Sequence, residues 1–221
     1  MKKARRTVIF GGVLIAAFAV WTALIQLVDV QSVGVNGTRI GFASFNTWFH
    51  RLTGANMTLY TITDWLGLVP IFVCFFFGVL GLIQLIKRKS LLKVDFNIIL
   101  LGVYYIIVIA EYLVFEMLPI NYRPILINGF MEASYPSSTT LLVLSVMPTL
   151  IFQAKLRLKS LSAKSVISIL TMIFSAFMVI GRLVSGVHWI SDIIGSILIS
   201  AGLFYIYKGN VLWNLAKNCR N

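Results

Sequence analysis

Long apolar runs, separated by polar and basic stretches, form the main pattern of this chain. Six runs recur, at about residues 8–28, 66–86, 97–118, 138–152, 166–187 and 190–207. A helix needs about 20 apolar residues to cross the hydrocarbon core of a bilayer. We therefore predict an all-α polytopic membrane protein, a bundle of six transmembrane helices, of which the fourth is short and contains Pro148.

A shorter pattern lies between the first two runs. Apolar residues at positions 42, 45, 48, 49 and 52 follow the spacing of one helix face, with polar residues between them. This spacing predicts a short amphipathic helix lying in the membrane interface. Within it, His50 and Arg51 either face a lipid headgroup as part of a site or simply lie in the headgroup layer.

Composition and charge agree with a membrane protein. Hydrophobic residues make up 59% of the chain and charged residues 12%, against roughly 25% charged in soluble domains. With both termini placed in the cytoplasm, 15 of the 19 lysines and arginines lie inside, as the positive-inside rule predicts. The net charge of +12 therefore indicates orientation and contact with anionic membrane lipids, and it excludes nucleic acid as a partner.

No feature divides the chain into separate units. Four basic residues precede the first apolar run, which is longer than a signal-peptide core, so we expect it to remain as the first span. Cys74 lies within a span and Cys219 in the tail, at depths too different for a disulfide, and neither belongs to a metal-binding motif. We predict one membrane-embedded domain over residues 1–221, with its motif-bearing core at about 66–207.

Candidate chemistry is concentrated between the last two runs. His188 is one of two histidines in the chain, and Asp192 is one of four aspartates. If the residues between them are helical, the two share a face, and the carboxylate can hold one imidazole nitrogen while leaving the other as a nucleophile. Arg182 offers a planar fork of donors for phosphate oxygens. The alternative is that these residues only mark a membrane boundary.

The predicted topology brings further polar residues to the same end of the bundle. Arg123 follows the third span, and Ser137 is a good N-cap for the fourth, whose free N–H groups suit a phosphate. Glu116 lies near the end of the third span, where Arg123 can pair with it. Two arginines, a helix N-terminus and a His–Asp pair together suit phosphoryl transfer, in which positioning and charge stabilisation supply most of the catalysis.

These residues carry a resemblance to the type-2 phosphatidic acid phosphatase superfamily, the membrane relatives of vanadium haloperoxidases. The family's third motif is Ser-Arg, five residues, His, three residues, Asp; here Gly181 replaces the Ser, and Arg182, His188 and Asp192 match. Its first motif, Lys, six residues, Arg-Pro, is matched by Arg123-Pro124 with Glu116 in place of Lys. Its second, Pro-Ser-Gly-His, is matched by Pro136-Ser137, with Ser138 and Thr139 in place of Gly and His.

The resemblance implies a mechanism and a set of roles. His188 would form a phosphohistidine, oriented by Asp192, and Arg123, Arg182 and Ser137 with nearby N–H groups would hold the phosphoryl oxygens. No metal or other cofactor is expected. Water attack on the phosphohistidine needs a base, for which the candidates are Glu116, Glu132 and His50.

We therefore predict a phosphatase that acts on a lipid phosphate or diphosphate at the outer face of a bacterial cytoplasmic membrane. A leaving alkoxide needs a proton that Thr139 cannot supply as an acid, whereas a lipid monophosphate is a weaker base and leaves without one. This favours a polyprenyl diphosphate, such as undecaprenyl diphosphate, over phosphatidic acid. The alternatives are a non-catalytic relative that binds or transports a phospholipid, and a lipid phosphotransferase.

Overall fold

The fold is a bundle of α-helices, described by a computed structural model over residues 1–219. Arg220, which the charge pattern places in the cytoplasmic tail, lies outside the described residues. The helices are α1 (Lys2–Leu27), α2 (Ala43–Thr53), α3 (Met57–Leu66), α4 (Leu68–Arg88), α5 (Phe96–Met117), α6 (Ser138–Arg157), α7 (Leu161–Val184) and α8 (Ile190–Asn218).

The six predicted spans are confirmed as helices long and apolar enough to cross a membrane, with α3 and α4 together forming the second. Several helices extend further than their apolar runs. In particular, α6 continues past Phe152 to Arg157, and α8 continues past Tyr207 to Asn218. Basic side chains do not end a helix, because their long stems lie along apolar surface while the charges reach water. Pro148 lies inside α6 without ending it.

The bundle is arranged around α6, which packs against α4, α5, α7 and α8. Hydroxyl and amide groups join its neighbours to it. Tyr104 of α5 donates to the Ser145 carbonyl oxygen at 2.9 Å, and Gln153 of α6 donates to the Tyr207 hydroxyl of α8 at 2.6 Å. No water is available inside a bilayer to satisfy such groups, so these bonds specify how the helices pair.

The closest helix pair is α1 against α8, and glycines make the approach possible. A Cβ atom on Gly11 of α1 would lie 2.8 Å from the Gly202 carbonyl oxygen of α8. A Cβ on Gly209 would lie 2.5 Å from the Val8 side chain. Small residues at such a seam let two backbones approach within van der Waals contact over a long distance.

The polar segment before the second span contains two helices, one of them unexpected. The predicted amphipathic helix is present as α2. The following helix, α3, covers residues for which the sequence pattern predicted no helix before the second span begins at residue 66. Its N-cap is Asn56, whose side-chain oxygen accepts from the Leu59 N–H at 2.9 Å. Several threonines, which are weak helix formers, obscure the helical pattern in the sequence, but packing against α7 stabilises this helix.

Candidate active site

The loop between α7 and α8 carries His188, and its shape depends on one glycine. Gly186 has a φ of +67°, and a Cβ there would lie 1.7 Å from the Gly54 carbonyl oxygen. The loop before α3 therefore packs directly on the His188 loop. The Asn56 N–H adds a hydrogen bond of 2.9 Å to the Ser185 carbonyl oxygen. These contacts hold the histidine in one place.

The hydrogen bonds of His188 define which ring nitrogen carries the lone pair. The side chain is 3% exposed, and its Nδ1 atom lies 3.1 Å from both the carbonyl oxygen and the hydroxyl oxygen of Ser134. A carbonyl oxygen only accepts hydrogen bonds, so Nδ1 carries the hydrogen. In neutral imidazole the lone pair then lies on Nε2, which is buried and has no partner within residues 1–219.

Asp192 acts on His188 through an intermediate group rather than directly. Its Oδ2 accepts from the Ser134 hydroxyl at 2.5 Å and from the Trp189 N–H at 3.1 Å, and its Oδ1 accepts from the Asn121 amide at 3.1 Å. The direct contact expected from helical spacing is therefore wrong. His188 precedes the first turn of α8, so the four-residue spacing does not place both side chains on one helix face.

Arg182 is almost fully buried, at 1% exposure, near the end of α7. It donates to the Thr139 hydroxyl at 2.6 Å and pairs with Asp64 Oδ1 at 3.2 Å. Glycine precedes it where the family motif has serine. A Cβ on Gly181 would lie 2.7 Å from the Thr63 methyl group of α3, so this glycine allows α3 to approach Arg182.

Arg123 lies in a segment that folds back on itself between α5 and α6. Its N–H donates to the Glu132 carbonyl oxygen at 3.1 Å, and the Ser134 N–H donates to the Asn121 carbonyl oxygen at 2.9 Å. The Arg123 side chain pairs with Glu132 at 3.1 Å. The predicted pairing with Glu116 is wrong, because Glu116 is exposed at the end of α5 and forms no ion pair within residues 1–219.

Tyr60 of α3, which the sequence analysis missed, joins the two arginines. Their guanidinium carbons lie 4.8 Å (Arg182) and 5.7 Å (Arg123) from the centroid of its ring. Burial and the positive charges of both arginines hold the pKa of His188 well below its ordinary value of 6.5. Two cations and a neutral imidazole therefore share one small region.

Three buried nitrogen atoms of this region have no hydrogen-bond partner within residues 1–219: one guanidinium nitrogen of Arg123, Nε of Arg182 and Nε2 of His188. Buried polar groups are normally paired, so an unpaired group calls for an explanation. Two cationic donors and one lone pair, all unpartnered, are suited to an anion with an electrophilic centre.

The N-terminus of α6 adds neutral groups to the same region. Ser137 is its N-cap, as predicted, but its buried hydroxyl donates to the Thr140 hydroxyl at 3.1 Å rather than capping the helix. The Ser196 hydroxyl of α8 donates to the Ser137 carbonyl oxygen at 3.0 Å. Ser138 is half-buried, and Thr139 is bound to Arg182.

His50, the remaining candidate, packs edge-on against the Trp189 ring, with the ring centroids 5.7 Å apart. No hydrogen bond or ion pair joins it to the two arginines or to His188. Burial lowers the pKa of His50. The structure therefore places it against Trp189, in the loop that carries His188, with no contact to the two arginines.

An apolar cavity of about 470 Å³ opens between α4, α5 and α6. Its polar end is lined by Asp64, Ser138 and Thr139, and its walls by residues such as Leu68 and Val108. A second cavity of about 440 Å³ shares Cys74 with it and follows the seam between α4 and α5 as far as Leu85. We refer to these two neighbouring cavities together as the groove; the stretch of α4 that lines them, from Leu68 to Leu85, is about 26 Å long.

Fold and site define a class: a polytopic membrane protein with a buried histidine beside a two-arginine anion pocket, at the end of a lipid-sized groove. Within residues 1–219, no three His, Cys, Asp or Glu side chains lie close enough together to hold a metal ion. The sequence model of the PAP2 superfamily matches residues 93–215, more than half of the chain. The chain belongs to this superfamily and is a membrane phosphatase of it.

Comparison with solved structures supports the fold independently. The crystal structure of a transmembrane PAP2-type phosphatidylglycerolphosphate phosphatase from Bacillus subtilis matches with a TM-score of 0.64. The alignment covers 91% of this chain and 96% of that one, at 18% sequence identity. At this identity the likeness shows a shared fold. A comparison with curated protein sequences gives no match.

Proposed function

We propose that this protein hydrolyses a lipid phosphate or diphosphate through a phosphohistidine on His188. One observation carries the proposal: three buried, unpartnered nitrogen atoms, from Arg123, Arg182 and His188, belong to one region. A phosphoryl group satisfies all three, because its oxygens accept from the arginines and its phosphorus takes the Nε2 lone pair. Preorganised donors of this kind stabilise the charge that develops in the transition state.

The roles of the supporting residues follow from their contacts. Ser134 and Asp192 hold the His188 tautomer, and their hydrogen bonds stabilise the positive charge that the ring gains when Nε2 bonds to phosphorus. Tyr60 keeps both guanidinium groups in place by cation–π contact. Ser137, Ser138 and the first N–H groups of α6 provide further donors near the phosphoryl oxygens.

The groove supports a long-chain lipid as the substrate. Its length of about 26 Å exceeds one leaflet, which is half of the roughly 30 Å hydrocarbon core. A polyprenyl chain is long enough to occupy it, and an ordinary acyl chain fills only part. With Thr139 in place of an acid, a diphosphate is the better substrate, because its leaving group departs without a proton. Undecaprenyl diphosphate combines both features.

The charge distribution supports an orientation for the reaction. Basic residues cluster at the end of the bundle opposite His188, so we place both termini in the cytoplasm and the site at the outer face of a bacterial cytoplasmic membrane. The substrate then reaches the groove from the surrounding lipid. The product phosphate leaves on the outer side.

The test is a phosphate-release assay on the purified protein with a polyprenyl diphosphate and with phosphatidic acid. Wild type should release phosphate from the diphosphate faster and should carry phosphate in an acid-labile, base-stable linkage. His188→Asn, which retains a side-chain donor near Ser134, should bind the lipid without releasing phosphate. Release by this variant at the wild-type rate would contradict the role of His188, and binding without release by wild type would favour a non-catalytic relative.

A further inference from the structure

We propose that Asp64 of α3 is the general base that activates water in the second half of the reaction. The inference rests on the proposed function and names the residue that completes the site. Thr139 occupies the position of the family's second-motif histidine, and an alcohol is too weak a base to take a proton from water near neutral pH. Another residue must accept that proton.

The groove determines where the water attacks. In the first step the lipid portion lies in the groove, so the leaving oxygen sits at the polar end lined by Asp64, Ser138 and Thr139. Phosphoryl transfer places attacking and leaving atoms roughly in line, so this end lies opposite the bond between His188 Nε2 and phosphorus. The water of the second step attacks along the same line and occupies the place that the leaving oxygen vacated.

Asp64 is the carboxylate at that place. Its side chain is 57% exposed, so water reaches it. Only its Oδ1 is engaged, by Arg182 at 3.2 Å, while its Oδ2 accepts no hydrogen bond within residues 1–219. The same contact to Arg182 places the carboxylate beside a guanidinium that binds the phosphoryl group. Asp64 therefore lines the polar end of the groove with one carboxylate oxygen that no hydrogen bond within residues 1–219 occupies.

The other candidate bases lie elsewhere. Glu132 pairs with Arg123 and does not line the groove. Glu116 is exposed at the end of α5 and lines a small cavity of about 10 Å³ that shares Ser138 with the groove, but it is not among the groove's lining residues. His50 packs on Trp189. Geometry thus favours Asp64, a carboxylate that lines the groove although no sequence motif indicated it.

The step balances as follows. The water oxygen forms a bond to phosphorus as one water proton passes to Asp64 Oδ2. The bond between phosphorus and His188 Nε2 breaks, and its electron pair returns to Nε2 as the lone pair of neutral imidazole, with Nδ1 still protonated toward Ser134. Inorganic phosphate leaves, and Asp64 then gives its proton to solvent. Both residues are restored to their starting states.

The test separates the two half-reactions in Asp64→Asn, an isosteric change that keeps an oxygen for Arg182. The probe is farnesyl diphosphate labelled on its terminal phosphate, mixed rapidly with the purified protein. We expect a normal burst of one equivalent of farnesyl phosphate, accumulation of phosphohistidine, and steady-state phosphate release at least 100-fold below wild type, within the range that general bases supply. Asp64→Glu should recover part of the turnover.

Glu132→Gln is the matched variant, since it neutralises the carboxylate paired with the other arginine. It should change KM without accumulating phosphohistidine. Three results would each overturn the assignment of Asp64 without contradicting the phosphohistidine mechanism. They are equal accumulation of phosphohistidine in Glu132→Gln, a slowed burst in Asp64→Asn, and turnover of Asp64→Asn within threefold of wild type. If wild type forms no phosphohistidine and releases no phosphate, the proposed function itself fails, and the assignment of Asp64 fails with it.

Discussion

Replacing Ser134 with alanine tests how the nucleophile is held. The hydroxyl lies between Asp192 Oδ2 at 2.5 Å and His188 Nδ1 at 3.1 Å. Removing it deletes the link between carboxylate and imidazole. The Ser134 carbonyl oxygen remains as acceptor for Nδ1, so the reactive tautomer persists. Ser134→Ala should therefore weaken catalysis without abolishing it.

The expected decrease in kcat/KM follows from the hydrogen bonds that the substitution removes. A hydrogen bond to a charged group contributes about 1.5–3 kcal/mol, and in the transition state the imidazole ring becomes charged. That corresponds to a roughly 10- to 160-fold loss in kcat/KM. Asp192 keeps its bonds from Asn121 and Trp189, so it is not left buried and unpaired, and folding should survive.

The assay is single-turnover formation of phosphohistidine, with thermal unfolding of the same samples in detergent. Ser145→Ala is a matched control, because the Ser145 hydroxyl is buried in α6 and has no hydrogen-bond partner among the described residues; it should leave the rate unchanged. Ser134→Thr, which restores a hydroxyl, should recover part of the loss. A loss in Ser134→Ala as large as in His188→Asn would refute the tautomer argument, and no loss at all would refute the role of the hydroxyl.

Three further predictions concern other parts of the molecule. Burial and two arginines lower the pKa of His188 below 6.5, so the single-turnover rate should stay constant as the pH falls through 6.5. The free energy of unfolding should decrease below that pH, because the unfolded chain takes up a proton there that the folded protein does not. A rate that halves at pH 6.5 would contradict this. Gly181→Ser should displace α3 through its contact with Thr63, lowering both the melting temperature and turnover; unchanged turnover would show that α3 is not needed. Gly78→Leu adds a side chain to the groove at a position where a Cβ atom meets nothing within 4 Å. The KM should therefore rise for long polyprenyl diphosphates but not for farnesyl diphosphate. Gly12→Leu, at an exposed position, is the control.

The periodicity and charge of the sequence were sufficient to predict most of the architecture. Each of the six spans is a local property, since a run of about 20 apolar residues must form a helix to satisfy its own backbone in lipid. The third motif was equally local. Arg182, His188 and Asp192 occur within one loop and its flanking helix ends, so the sequence identified them together as candidates. The prediction of phosphoryl transfer also needed Arg123, Ser137 and the family resemblance.

The partners of these residues were decided only by the tertiary structure. Ser134 reaches His188 across 54 positions, and Asp64 reaches Arg182 across 118. No periodicity encodes such distances, because they depend on how α3, α6 and α7 pack. The threonines of α3 obscured its helical pattern in the sequence, and this helix lies close to Arg182 because Gly181 has no side chain. Local sequence therefore indicated His188 and the two arginines, whereas long-range packing determined what orients them and which carboxylates they pair with.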